Sequence, residues 1–135
     1  MMDHVDMRIV EELSKNSRIT MKELGERVHL TGQAATSRVA KLEDQGIIKR
    51  YTVDLDLEKL GYVVQAFINI WTNDLSHQPY LSFIRTQTEY VIRNYKISGD
   101  SCYLLECRFP SNKTMDRFLV DLNKHVNYKL SIVIS

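Results

Sequence analysis

With 135 residues, the chain has room for one ordinary domain or two small ones. A hydrophobic share of 44% and a charged share of 26% exclude a disordered polymer, and no apolar run is long enough to span a bilayer or act as a secretion signal. The net charge of +1 advertises no polyanion partner, but residues 1–26 carry four basic and six acidic side chains, and residues 27–50 five basic and two acidic.

Val5, Ile9 and Leu13 recur at helical spacing and predict a first helix, with Asp3 and Asp6 at its dipole-positive start and Asn16-Ser17 at its end. Thr20 reads as the N-cap of a second helix, with Glu23 completing a capping box and Met21, Leu24 and Val28 as its buried stripe. Thr31 caps a third helix with Ala35, Val39 and Leu42 inward and Gly46 as its stop. Two short amphipathic helices joined by a tight turn form the arrangement that places a helix in the major groove of DNA. Ile47 to Leu57 alternates loosely and reads as a strand or small hairpin, the wing of a winged helix. The domain boundaries expected are 1–54 for the helical domain, 55–62 for a linker and 63–135 for a second domain.

From Val63 the period changes to two. Strands are expected at Val63–Thr72, Tyr90–Ser98, Cys102–Phe109 and Tyr128–Ile134. Pro79 starts a helix carrying Leu81 and Ile84, and Ser111 caps another carrying Met115, Phe118, Leu119, Leu122 and Val126. The order β-α-β-β-α-β fits a ferredoxin-like sandwich, giving an α+β chain: an N-terminal winged helix-turn-helix plus a C-terminal ferredoxin-like domain. Two helices cover only one sheet face, so the apolar residues on the other face of the first strand argue for a dimer through the sheets.

On the third helix, Gln33, Ser37, Ala40, Lys41 and Asp44 point outward, with Thr36 and Arg38 on the flanks. Glutamine pairs with adenine, and arginine pairs with guanine or grips phosphate. Free N–H groups at the helix start hold phosphate, and Lys49 and Arg50 follow in the wing, where contacts set position rather than specificity. The expected DNA-binding residues are therefore Thr31, Gln33, Thr36, Ser37, Arg38, Lys41, Lys49 and Arg50. The competing readings are a solvated helix face on a protein-docking or small-molecule-binding domain and, more distantly, an enzyme. His4, His29, His77 and His125 lack metal-ligand spacing, no Ser/His/Asp set can be assembled, and no cofactor is expected. Cys102 and Cys107, five apart in one strand, point to opposite faces and read as free, buried thiols.

These residues resemble the Lrp/AsnC family of bacterial and archaeal transcriptional regulators. Asp3-His4-Val5-Asp6-Met7-Arg8-Ile9-Val10 is similar to the family's opening D-x-x-D-x-x-I-L. Ser37 through Ile48, read as SRVAKLEDQGII, is similar to R-[IV]-x-x-L-E-x-x-G-[IV]-I, and Leu60-Gly61 to the linker. Ile97-Ser98-Gly99-Asp100 followed by Tyr103-Leu104-Leu105 looks like the effector-domain loop. The resemblance implies a regulator that binds double-stranded DNA as a homo-oligomer: a dimer, further assembled to tetramers or octamers. It also implies an effector domain of the RAM type, an amino-acid effector near Gly99, Asp100, Ser101, Cys102 and Ser131, and a cytoplasmic, nucleoid-associated location. Two positions depart from the pattern. Cys102, a weak partner for a cation, stands where the family's G-x-x-D loop carries the carboxylate suited to an ammonium group. Either Asp100, two residues earlier, substitutes for it, or the alternative holds, an effector-independent architectural or local regulator. Gly32 stands where many members carry proline.

Overall fold

Asp3 starts the first helix by a reciprocal cap in the computed structural model, which describes residues 2–135. Its carboxylate accepts from the Asp6 amide at 2.8 Å, and the Asp6 carboxylate accepts from the Asp3 amide at 3.3 Å. Helix α1 (His4–Lys15) then buries Ile9 and Leu13 and closes at Asn16. Helix α2 (Met21–Val28) is capped by Thr20, which accepts from the Glu23 amide. Only this half of the expected capping box forms: the Glu23 carboxylate instead meets Arg27 at 3.3 Å, one turn on along the same face. Helix α3 (Gly32–Asp44) is capped by Thr31 and buries Ala35, Val39 and Leu42. Together with Ile19, Leu24 and Val28, these side chains form a core of their own in a first unit that ends at Asp54.

The strand or hairpin expected across Ile47–Leu57 does not form. Ile47 and Ile48 donate back to the Leu42 carbonyl, and residues 49–56 run without regular structure or a ladder to another strand of the chain. The alternation was real, but Tyr51, Val53 and Leu55 are exposed, and a strand needs a hydrogen-bonded neighbour as well as a pattern. Leu57 to Gly61 is a hydrogen-bonded turn, with the Tyr62 amide donating to the Leu57 carbonyl and Gly61 at φ +97°.

The second unit runs from Leu55 to Ser135. Its strands are β1 (Val64–Trp71), β2 (Val91–Lys96), β3 (Tyr103–Phe109) and β4 (Asn127–Ile132), in the antiparallel order β2-β3-β1-β4. Helices α4 (Gln78–Arg85) and α5 (Asn112–Leu122) cover one face, and Ser111 caps α5 as expected. Val64, Ala66, Ile68 and Ile70 of β1 and Tyr103, Leu105, Cys107 and Phe109 of β3 point into this core. Each fully buried leucine or isoleucine contributes roughly 1.5–3 kcal/mol.

Three details differ from expectation. Tyr80, rather than Leu81, is the deeply buried side chain on α4, and its hydroxyl donates to Asn94 at 2.8 Å. Strand β4 ends at Ile132, which leaves Ile134 exposed. Cys102 lies just before β3 and is half-buried, whereas Cys107 is fully buried.

Candidate nucleic-acid interface

The turn between α2 and α3 is built on Gly25 and His29. His29 closes α2 in the left-handed conformation at φ 61°, and its amide donates to the Gly25 carbonyl. The Leu30 amide donates to the same carbonyl at 2.8 Å. A Cβ on Gly25 would lie 2.5 Å from the Leu30 carbonyl oxygen, so no larger residue fits without moving the turn. This tightness sets the angle at which α3 leaves α2.

With Ala35, Val39 and Leu42 buried, α3 presents Gln33, Thr36, Ser37, Ala40 and Lys41 to solvent. Two hydroxyls are already committed in part. Thr31 Oγ1 accepts from the Ala34 amide at 3.1 Å and keeps its proton to donate. Thr36 Oγ1 donates to the Gly32 carbonyl at 2.9 Å and keeps acceptor capacity. The side chains of Gln33, Ser37 and Lys41, and of Lys49 and Arg50 beyond the helix, make no hydrogen bond or ion pair with other described residues.

Arg38 is different. Its guanidinium Nη1 donates to Asp3 Oδ2 at 2.6 Å and to Asp6 Oδ1 at 3.3 Å, tying the middle of α3 to the start of α1. The amide of Asp6 and then the guanidinium of Arg38 hold the Asp3 carboxyl below its usual range, and the two carboxylates raise Arg38. Asp3, Asp6, Ala34, Ser37, Arg38 and Lys41 line an open groove of about 590 Å³ along this face. The Asp3–Arg38 tie spans 35 residues, and only the D-x-x-D spacing of the capping box was a local signal for half of it.

The residues expected to form an effector loop sit in the second unit. The Ser101 hydroxyl is buried and donates to Asn69 Oδ1 at 2.9 Å, and Trp71 Nε1 donates to the Asp100 carbonyl. Gly99 and Asp100 are exposed, and Cys102 Sγ lies 3.7 Å from Thr72 Oγ1. Hydrogen bonds from Thr72, backbone first and hydroxyl second, hold the Cys102 thiol below its ordinary range. Ser131 is not brought to this loop: it pairs with Phe67 on the β4 side of β1, whereas the Cys102 amide donates to Ile70 on the other side.

Residues 2–49 match a winged helix-turn-helix DNA-binding family. Over 134 residues, covering 99% of this chain and 98% of its relative, the chain is 61% identical to the HTH-type transcriptional regulator LrpA of Bacillus subtilis (strain 168). The chain belongs to the Lrp/AsnC family of transcriptional regulators. It is a DNA-binding regulator with the winged helix-turn-helix and four-stranded α+β architecture of that family. Lrp/AsnC structures superpose along its whole length. B. subtilis LrpC gives a TM-score of 0.93 at 31% identity, covering 100% of this chain and 96% of that one. A transcriptional regulator from Neisseria meningitidis in complex with L-Met gives 0.92 at 28% identity, covering 100% and 91%.

Proposed function

We propose that two copies of this regulator present their α3 helices to successive major-groove turns, roughly 34 Å apart. Gln33, Ser37 and Lys41 read base edges or phosphates from the exposed face, while Thr31, Thr36, Lys49 and Arg50 set register on the backbone. The observation that carries this reading is the side-chain inventory of α3: its inward residues are fully used in packing, and Gln33, Ser37 and Lys41 are uncommitted.

The second unit supplies the pairing. Its uncovered face carries Phe67, Trp71, Leu104 and Tyr95 among polar neighbours, with Arg93, Glu106, Phe67 and Ser131 in one cross-strand row. Closing two such faces buries these aromatics and joins two modest basic surfaces, so that their affinities multiply. Tetramers or octamers extend the same principle. An amino-acid effector at Gly99–Cys102 is the finer part of the proposal. The exposed Asp100 carboxylate supplies a partner for an ammonium group, and the related Neisseria regulator was crystallised with L-Met.

A gel-shift titration against the upstream region of its own gene, at two salt concentrations and with and without methionine, tests the reading. A discrete shift that weakens with salt is expected. Folded protein that gives no shift at low salt overturns the assignment of α3. Methionine that alters neither the shift nor the sedimentation of the protein removes methionine as that effector, and the same silence across the twenty amino acids overturns the effector role.

A further inference from the structure

Within the reading of α3 as the DNA-facing helix, we infer that Arg38 is a positioning residue that sets the pose of that helix through Asp3 and Asp6, and is not itself a DNA contact. The residue sits on the flank of α3, where its type and exposure first suggest phosphate or guanine. Its bonds point elsewhere. One guanidinium nitrogen is shared between Asp3 at 2.6 Å and Asp6 at 3.3 Å, and the Asp6 side chain is only 10% exposed.

The electrostatics decide between the two roles. To reach a phosphate, Arg38 would abandon two carboxylates, one of them nearly buried, and leave both facing a polyanion. Asp3 is half-exposed and would lose little. Asp6, 10% exposed, would be left as a nearly buried carboxylate without its cation, which costs more than an exposed phosphate contact returns. With the tie intact, the pair of acids and the arginine form a closed unit, and Lys41 and Ser37 remain the groups in the same groove that are free to meet DNA.

The packing gives the tie its purpose. Helix α3 rests chiefly on α2 and touches α1 sparsely. The turn at Gly25 fixes how α3 leaves α2, and Ala35, Val39 and Leu42 seat its inward face in the shared core. Arg38, one turn beyond Ala34, pins the middle of the helix to the capped start of α1. The tie thus adds a polar anchor on the flank of α3 to the apolar seating of its inward face.

The test uses the full-length protein and a duplex that the wild type binds. Binding constants are measured at several salt concentrations for Arg38→Ala, for the pair Asp3→Asn with Asp6→Asn, and for all three changes together. Asparagine keeps the N-cap of α1. Simple electrostatics predicts that removing two acids beside DNA tightens binding. Positioning predicts the opposite: each variant weakens binding on the order of tenfold. The triple variant is then no weaker than either, and the slope of log K against log salt stays at the wild-type value. Tighter binding by the asparagine pair, further loss on adding Arg38→Ala to it, or a slope reduced by about one charge makes Arg38 a direct contact and overturns the inference. Unchanged affinity in every variant also overturns it. If Arg38→Ala loses its helical circular dichroism, Arg38→Lys carries the comparison: a point charge satisfies a phosphate but not two carboxylates. Positioning then predicts weaker binding at unchanged slope, and wild-type affinity refutes it. A wild type that shifts no DNA refutes the reading of α3 itself, a separate outcome.

Discussion

Gly25 and Leu30 meet twice in the turn before α3: the Leu30 amide donates to the Gly25 carbonyl at 2.8 Å, and the Leu30 carbonyl oxygen would lie 2.5 Å from any Cβ on Gly25. The first contact orients the turn, and the second restricts it to glycine. Gly25→Ala is therefore expected to cost about 1–3 kcal/mol, as in other overpacked sites. Because the displaced atoms are backbone, the strain passes to α3. Thermal unfolding followed at 222 nm measures the loss, and DNA affinity at a temperature where the variant remains folded should fall as well. A variant with wild-type stability would show that the turn can open without cost.

His29 is the opposite case. It holds a left-handed φ of 61° without being glycine, a conformation that costs an L-residue roughly 1–2 kcal/mol. His29→Gly should relieve that strain, less the entropy glycine loses on folding, for a net gain of about 0.5–1 kcal/mol. Chemical denaturation of the two proteins side by side checks the sign. Equal or lower stability would mean that the imidazole makes a compensating contribution.

The Asp3 carboxyl is held below its ordinary value of 3.8 by the Asp6 amide and by Arg38. A depressed carboxyl contributes stability that is present above its unfolded pKa and lost as pH falls through the lower, folded one. The helical unit should therefore lose stability below about pH 4, and Asp3→Asn should flatten that acid limb. Melting temperatures taken at small steps from neutral pH downward read it. An acid limb identical in the variant would remove Asp3 as its source.

The two thiols should separate cleanly in labelling. Cys102 is half-buried and its thiol is held low by Thr72, while burial pushes Cys107 up to about 12. An aromatic disulfide reagent at mildly alkaline pH should titrate one thiol quickly and the second only after denaturation. Two fast thiols would mean that the sheet opens readily around β3.

Much of this was legible in the chain because local patterns carried it. Ala35, Val39 and Leu42 repeat at the helical period, and Thr20, Thr31 and Ser111 are capping residues at the right offsets. The strands of the second unit announced themselves by alternation that matched their burial in β1 and β3. What escaped the sequence depended on distant partners. Arg38 looked like a free cation because nothing near it in the chain shows Asp3 and Asp6 folding back onto it. Tyr80 looked less apolar than Leu81, yet Asn94 accepts from its hydroxyl and so makes its burial affordable. The stretch after Ile48 had a strand's alternation and no strand to pair with.

That unpaired stretch has a practical consequence. Lys49 and Arg50 are exposed on backbone held by no ladder, and each flanking unit closes a hydrophobic core of its own. Extended, solvated backbone is what a protease active site accepts. Brief trypsin treatment of the native protein should therefore cut first after Lys49 or Arg50 and release a durable fragment beginning at Arg50 or Tyr51. Mass spectrometry would identify it, and the fragment would carry the sheet without α3. If the sheets pair as proposed, that piece is a dominant-negative: it would occupy the pairing surface of an intact subunit and bring no α3 to DNA.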